Sequence, residues 1–289
     1  MKVQSVRKPI ASGKLYPADP ETLRSGIESI LNRTDLPGKE TTRLIVVPQG
    51  PLEDCADLYA RSYAVVRGDK FDTVVLLAYS ESEFFNFISV FNGDEYHSPL
   101  GSLKIDYQMR DEFADEDDDI FVSDKGHFNQ DSFIEMQLPF LQVALQPGFK
   151  ILPIIIGNQS KELCDELAHA MGEILHQRNC LVVVCGDMIS EPDVPDYELE
   201  ERIAKIRATM LDGSTDFFFT RQWKGHFLGG AHGPFHIAAK VSKTLNYKTL
   251  NIYRYFSQVE KWEVGDRQVT YFSMAYSRVP KSVHQEQTA

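Results

Sequence analysis

Four short apolar runs recur along the chain, at residues 44–47, 73–77, 151–156 and 181–185. Each is continuous rather than alternating, rich in Val, Ile and Leu, and followed closely by a turn-forming residue (Pro48, Ser80, Gly157 and Gly186). That is the pattern of strands buried on both faces. Residues 55–66 lie between the first two runs and carry Ala56, Tyr59, Ala60 and Tyr63 at helical spacing. Residues 161–175 lie between the last two, with Leu163, Leu167, Ala170 and Ile174 in register. Strand, helix, strand, twice over, predicts two βαβ units with parallel strands. An earlier helix starts at Asp19-Pro20-Glu21, a short polar cap with proline in the first turn, and shows Leu23, Ile27, Ile30 and Leu31 on one face. Later helices are expected over 198–211, continuing over 216–223, and over 235–245, and closing strands over 249–256 and 268–276. Residues 84–91 read as an aromatic-rich strand or loop, 96–101 as a turn, 103–106 as extended, and 229–234 as a glycine-rich turn. With no repeat or linker, the expectation is one α/β domain over 1–280. Its central sheet is mainly parallel or mixed and flanked by helices, and 281–289 form a frayed polar tail.

Residues 130–142 depart from this simple pattern. They predict a helix with Phe133, Met136, Leu138, Phe140 and Leu141 as its apolar faces. Asp131 or Ser132 is placed to cap it, and with Ser132 as cap Glu135 completes a capping box. Pro139 is expected to bend or break the helix. Glu135 and Gln137 sit in apolar company and need partners.

Composition is ordinary for a globular chain, with 43% hydrophobic and 25% charged residues. The net charge of −12 argues against nucleic acid or an anionic membrane as the partner. The acidic run 111–119 reads as a solvated loop, with an acidic metal-binding loop as the lesser alternative. The four cysteines, Cys55, Cys164, Cys180 and Cys185, show no CxxC spacing. There is no apolar run of membrane-spanning length and no secretory signature at the first residues. A cytoplasmic protein with reduced thiols is the expectation.

In parallel sheets ligands bind beyond the carboxyl ends of the strands. Those ends carry Gln49, Glu81 and Asp187, with Ser190 shortly after; the glycine turn adds Gly230 and His232, and the 130–142 stretch adds Asp131. Asp187, His232 and Asp131 are the candidate catalytic groups; Gln49, Glu81, Asp187, Ser190 and Gly230 are the candidate ligand-cleft residues. Each also has a plain structural reading: Gln49 as a turn residue, Glu81 as a solvated loop charge, Asp131 as a helix cap, His232 as a loop anchor. His127 and His226 are weaker candidates. His97, His169, His176, His236 and His284 read as structural or surface residues, and Cys185 as a small buried hydrophobe. The Walker, HExxH, GxSxG and EF-hand patterns do not occur.

Several blocks together resemble one family: residues 7–17 (Arg-Lys-Pro-Ile-Ala-Ser-Gly-Lys-Leu-Tyr-Pro), residues 72–77, Ser98-Pro99-Leu100-Gly101, residues 135–142 (Glu-Met-Gln-Leu-Pro-Phe-Leu-Gln) and Gly233-Pro234-Phe235. They are similar, in order, to blocks of the Memo family, also called the AmmeMemoRadiSam system protein B family. The resemblance runs from Arg7 to Tyr276. It implies a single α/β domain with a central cleft, on a fold shared with class III extradiol dioxygenases, a non-haem iron group. The site that it implies is altered. The family's Pro-His-Ala-Gly is here Pro48-Gln49-Gly50-Pro51, its Pro-Ser-His is Tyr79-Ser80-Glu81, and its Glu-His-Ser is Gln130-Asp131-Ser132. Its Ser-Asp-Leu-Ser-His is Gly186-Asp187-Met188-Ile189-Ser190, and its Cys-Gly is Gly230-Ala231. Only Asp187 is the family's own residue among these polar cleft positions.

Iron or copper in such a site calls for imidazole or thiolate donors. The resulting expectation is a Memo-like protein with a degenerate metal site and no resident cofactor. It would be a non-catalytic binding or accessory protein whose partner is a small molecule or another protein. The alternative is a divergent metal-dependent enzyme, dioxygenase-like or hydrolytic, with a carboxylate-rich site and a divalent ion at Glu81 and Asp187.

Overall fold

The computed structural model describes residues 5–34, 41–128, 131–220, 227, 229–247, 249–261 and 265–278. In chain order the elements are β1 (Val6–Arg7), α1 (Pro20–Asn32), β2 (Thr41–Val47), α2 (Leu52–Ala64), β3 (Thr73–Tyr79), β4 (Ile88–Phe91), β5 (Glu95–Ser98), β6 (Gly101–Lys104), α3 (Tyr107–Glu116) and β7 (Ile120–Ser123). They continue with α4 (Phe133–Ala144), β8 (Lys150–Ile156), α5 (Lys161–Leu175), β9 (Cys180–Cys185), β10 (Asp187–Ser190), α6 (Asp196–Asp212), β11 (Gly229–Gly230), α7 (His232–Thr244), β12 (Thr249–Glu260) and β13 (Arg267–Arg278). A 3-10 turn at Thr215–Phe219 separates α6 from β11.

The four apolar runs form the parallel centre of one large mixed sheet, in the order β11-β10-β13-β2-β9-β3-β8-β4-β7, with β12 paired to β13. β2, β9, β3 and β8 run parallel. β13 is antiparallel to β2, and β4 antiparallel to β8. Within each predicted βαβ unit the strands are parallel. β9 inserts between β2 and β3, so the first pair are not neighbours. All seven residues of β3 are buried, as befits a strand covered on both faces. A separate small sheet joins β1, β5 and β6. The chain is therefore a single α/β domain built on a mixed sheet flanked, among the described residues, by seven α-helices. No described helix is long and apolar enough to cross a membrane.

Helix α1 follows its sequence signals closely. Asp19 accepts a hydrogen bond from Thr22 N, and Leu23, Ile27 and Leu31 are buried at i, i+4, i+8. Elsewhere the structure corrects the expectations. The acidic run is largely helical, since it belongs to α3, which Asp106 caps through Met109 N and which is pinned by buried Met109 and Phe113. Residues 96–98 extend β5, so the turn is confined to Pro99 and Leu100. Residues 187–190 are a strand rather than a turn, and His232 opens α7 rather than lying in a loop. Beyond α6, Gly213 adopts a left-handed conformation (φ 69°) that ends the helix, so 216–219 form only the 3-10 turn. Gln130, residues 221–223, His226, His284 and the 281–289 tail lie outside the described residues.

Helix α4 is the most instructive correction. Ser132 occupies the cap position but its side chain makes no capping bond, and Glu135 does not close a capping box. The carboxylate of Glu135 is 2% exposed and faces the first segment of the chain. It accepts from Ile10 N (2.8 Å), Ala11 N (2.8 Å) and the Tyr16 hydroxyl (2.7 Å), with Arg7 Nη2 at 3.7 Å. Arg7 in turn donates to the carbonyls of His127 and, through Nη1, Lys8. Gln137 donates to the carbonyls of Pro48 (3.0 Å) and Phe133 (2.9 Å), and accepts from the Tyr63 hydroxyl (3.0 Å). The two polar residues are thus tethers, one to residues 7–16 and one to the chain just before Gln49. Pro139 removes one donor but does not end the helix, which continues to Ala144. Its neighbours Leu138, Phe140 and Leu141 are buried, and Phe140 stacks on Tyr59 and Tyr63 at 4.7 and 5.2 Å. That packing outweighs the ~3 kcal/mol a mid-helix proline costs.

Candidate functional site

The parallel register of β2 with β9 pairs Val47 with Cys185, so two residues further along each strand Gln49 comes level with Asp187. Gln49 Nε2 donates to Asp187 Oδ2 at 2.7 Å. Tyr79 is the last residue of β3, and Glu81 follows in the loop just beyond it. The Tyr79 hydroxyl lies 2.6 Å from Glu81 Oε1 and 3.2 Å from Asp187 Oδ1, with Gln49 Nε2 at 3.5 Å. Gln49, Tyr79, Glu81 and Asp187 therefore form one connected polar cluster at the carboxyl ends of the central strands, where a ligand cleft is expected.

Its electrostatics are uneven. Asp187 is buried, and that burial, followed by the charge of Glu81, pushes its carboxyl from 3.8 up to about 8 despite the bonds from Gln49 and Tyr79. Glu81 is exposed to water at the outer end of the cluster. The surrounding protein, and then the charges of Asp131 and Glu260, hold its carboxyl above the ordinary range against the bond from Tyr79. One phenolic proton serves one acceptor. The shorter contact makes Tyr79 chiefly the donor to Glu81, with Asp187 as the second acceptor within its reach. The result is a chain from buried Asp187 through Tyr79 to exposed Glu81.

A second shell of polar groups adjoins this chain. Tyr271 on β13 pairs with Asp187 and donates to Glu260 Oε1 at 2.5 Å. A side chain at Gly50 would lie 2.8 Å from both Cys55 Sγ and the Tyr271 ring, so glycine permits the close approach there. Burial, then the charges of Asp54, Glu260 and Asp187, push the Cys55 thiol up to about 12. Burial also raises Cys185. All four cysteines are free and buried.

The remaining candidates fall in different places. Asp131 does not cap α4: its Oδ2 accepts from Ser80 Oγ (3.1 Å), Glu81 N (3.0 Å) and Ser82 N (3.3 Å), so it fixes the loop that carries Glu81. Gly230 has φ 107°, and a Cβ on it would sit 2.4 Å from the Asp187 carbonyl oxygen and 2.8 Å from Met188 Cα. The backbone of β10 thus fills the space a cysteine side chain would need. Ser190 is three residues along β10 from Asp187, hence on the opposite face, and its hydroxyl approaches the Gln268 carbonyl at 3.5 Å. His232 faces a separate recess of about 650 Å³, lined among others by Phe84, Gln159, Lys161 and Phe219. Its Nδ1 lies 3.3 Å from the Gly230 carbonyl, and Phe219 meets its ring edge-on at 5.7 Å. His127 is committed to the interior. Tyr96 donates to its Nδ1 (2.8 Å), its Nε2 donates to the Ser89 carbonyl (3.2 Å), and burial lowers it from 6.5 to about 3. His236, read as structural, is buried with Nε2 2.7 Å from Asp165 Oδ1.

Sequence reading missed Tyr79, the hub of the cluster. The signal was there: a tyrosine two residues before Glu81, at the end of a buried strand.

The donor set does not suit iron or copper. Gln49 turns its NH₂ to Asp187, Gly230 has no side chain and the β10 backbone fills the space one would need, and the cluster presents neither imidazole nor thiolate.

The sequence profile of the Memo-like protein family matches residues 7–274. Among curated proteins, the chain is 27% identical over 258 residues to a MEMO1 family protein of Saccharolobus solfataricus, covering 84% of this chain and 89% of the relative. It is 28% identical over 221 residues to one of Methanobrevibacter smithii, covering 72% and 75%, and 30% identical over 196 residues to one of Saccharolobus islandicus, covering 63% and 69%. With a match over nearly the whole fold, including the α4 tethers and the strand ends that carry the cluster, the chain belongs to the Memo-like protein family.

Proposed function

We propose that this protein is a binding or accessory member of its family, with a proton-sharing cluster in place of a metal centre. The observation that carries the reading is the hydrogen-bond chain Gln49–Asp187–Tyr79–Glu81, in which each of the four side chains already serves a neighbour. Groups arranged to coordinate a transition metal keep lone pairs free and converge on one point. Here the amide donates, one carboxyl is neutral, and the hydroxyl bridges the two acids. Such a cluster is suited to recognising a polar small molecule or side chain at its open end, Glu81.

Elemental analysis of protein purified without chelator, followed by anaerobic loading with Fe²⁺, tests this. The expected result is substoichiometric iron and copper before and after loading, and no oxygen-dependent ring cleavage of catechols. One tightly held iron or copper per chain, lost in Glu81→Gln or Asp187→Asn, would overturn it.

A second reading rests on the same proton chain. A neutral buried acid linked through a tyrosine to an exposed carboxylate is also a general acid and base pair, suited to hydrolysis. It requires a turnover that Tyr79→Phe abolishes while ligand binding persists.

A further inference from the structure

Burial and charge in the Gln49–Glu81 cluster define what would complete it. Gln49 is 8% exposed, its Nε2 is spent on Asp187, and its Oε1 is buried without a hydrogen-bond donor among the described residues. A buried carbonyl left in this state costs about 1–3 kcal/mol, which a ligand that supplies a donor recovers. The groups acting on the two central acids are carboxylates, an amide and a phenol: Glu81 and Glu260 on Asp187, and Asp131 and Glu260 on Glu81. Tyr271 and Gln258 both point donors at Glu260, holding its carboxylate beside the cluster. The cluster thus gathers acceptors and negative charge around an orphaned acceptor.

From this geometry we infer that the Gln49–Glu81 cluster takes an organic ammonium group, a primary alkylamine in its protonated form. The inference deepens the binding reading above and rests on it. An ammonium carries three donors and one charge. Gln49 Oε1 takes one donor and the Glu81 carboxylate another. A divalent metal ion is the poorer occupant. It demands several anionic oxygens at about 2.0–2.6 Å, whereas both Asp187 oxygens are engaged with Gln49 and Tyr79. An anionic ligand would meet Glu81, Glu260 and Asp131 head-on. The net charge of −12 also favours encounter with a cation.

The probes are n-butylammonium, 1-butanol, butyrate, catechol and Mn²⁺. Each is titrated at pH 7.5 into the full-length protein while calorimetry and the ¹⁵N–¹H signals of the Gln49 side-chain amide are followed. The expected result is saturable butylammonium binding that shifts the Gln49 signals, at least tenfold tighter than butanol or butyrate, and weakened at least tenfold by Glu81→Gln. Because Glu81 is exposed, Glu81→Gln keeps the fold, and its unchanged melting temperature is the control. Butylammonium binding no better than butanol, or insensitive to Glu81→Gln, overturns the inference. Tighter binding of butyrate, catechol or Mn²⁺ that depends on Glu81 also overturns it while leaving the binding reading standing. If no probe of any class shifts the Gln49 signals, the binding reading falls with it.

Discussion

Two carboxylates are buried among the described residues, and they are provided for in opposite ways. Glu135 is 2% exposed and meets two backbone N–H groups, a tyrosine hydroxyl and a guanidinium. Asp187 is 4% exposed and meets one amide and one tyrosine, with a second carboxylate beyond the tyrosine. The first is surrounded by donors and anchors residues 7–16 to α4. The second is short of donors and lies next to like charge, and burial and that charge push its carboxyl up to about 8. A carboxylate completed by its own chain does structural service. One with few donors and like charge beside it, at the ends of the central strands, is the kind of group that function draws on.

Breaking each side of this contrast gives effects of different size and sign. The largest is expected at the donor-rich site. Glu135→Ala leaves Arg7, two backbone N–H groups and Tyr16 without their acceptor, and should cost about 3–5 kcal/mol. Thermal denaturation should show a fall of roughly 6–15 °C. A shift under a couple of degrees would mean that residues 7–16 are not held by this carboxylate. The second tether should matter less. Gln137→Leu keeps the volume but strands the Pro48 carbonyl and the Tyr63 hydroxyl, for about 2 kcal/mol in urea denaturation.

At the donor-poor site the sign reverses. The folded-state carboxyl of Asp187 titrates at about 8 against an ordinary 3.8, so between these values the folded protein binds more protons than the unfolded one. Stability contributed by this group is intact below pH 4 and is lost as pH rises through 8. Asn in its place has one acceptor for Gln49 and one donor for Tyr79, the same pattern as the neutral acid. Asp187→Asn should therefore melt within about a degree of the parent at pH 4 and several degrees above it at pH 9. A parent more stable than the variant at pH 9 would show that Asp187 is charged and paired. The smallest effect is expected at Asp131. Removing its carboxylate by Asp131→Ala frees Ser80 Oγ and the Glu81 and Ser82 N–H groups, all near solvent. The cost to stability should be about 1 kcal/mol, with faster amide exchange confined to residues 80–82.

The fold was legible where burial imposes a simple pattern. The continuous apolar runs of β2, β3, β8 and β9 and the stripe of α1 could be read directly, because a strand covered on both faces and an amphipathic helix leave no other solution. Helix α3 was not legible: only Met109 and Phe113 mark its buried face, and its acidic surface reads as loop. Pro139 misled because local propensity carries no knowledge of the tyrosines stacked on Phe140. At the site, the strand-end rule picked out Gln49, Glu81 and Asp187. It could not tell that Asp131 would serve the loop carrying Glu81, nor that α7 would turn His232 toward another recess. Those outcomes depend on contacts between segments about 50 and more residues apart in sequence. Tyr79 was readable from its place at the end of a buried strand.

The account stands on the protonation of Asp187, and a ¹³C-carboxyl NMR titration reads it most directly. With Asp187→Asn used to assign the resonance, the account predicts a carboxyl that stays neutral through pH 7, with a midpoint near 8 that rises further in Tyr79→Phe. A midpoint below 5, unchanged by Tyr79→Phe, would contradict it and return the cluster to an ordinary ionised pair.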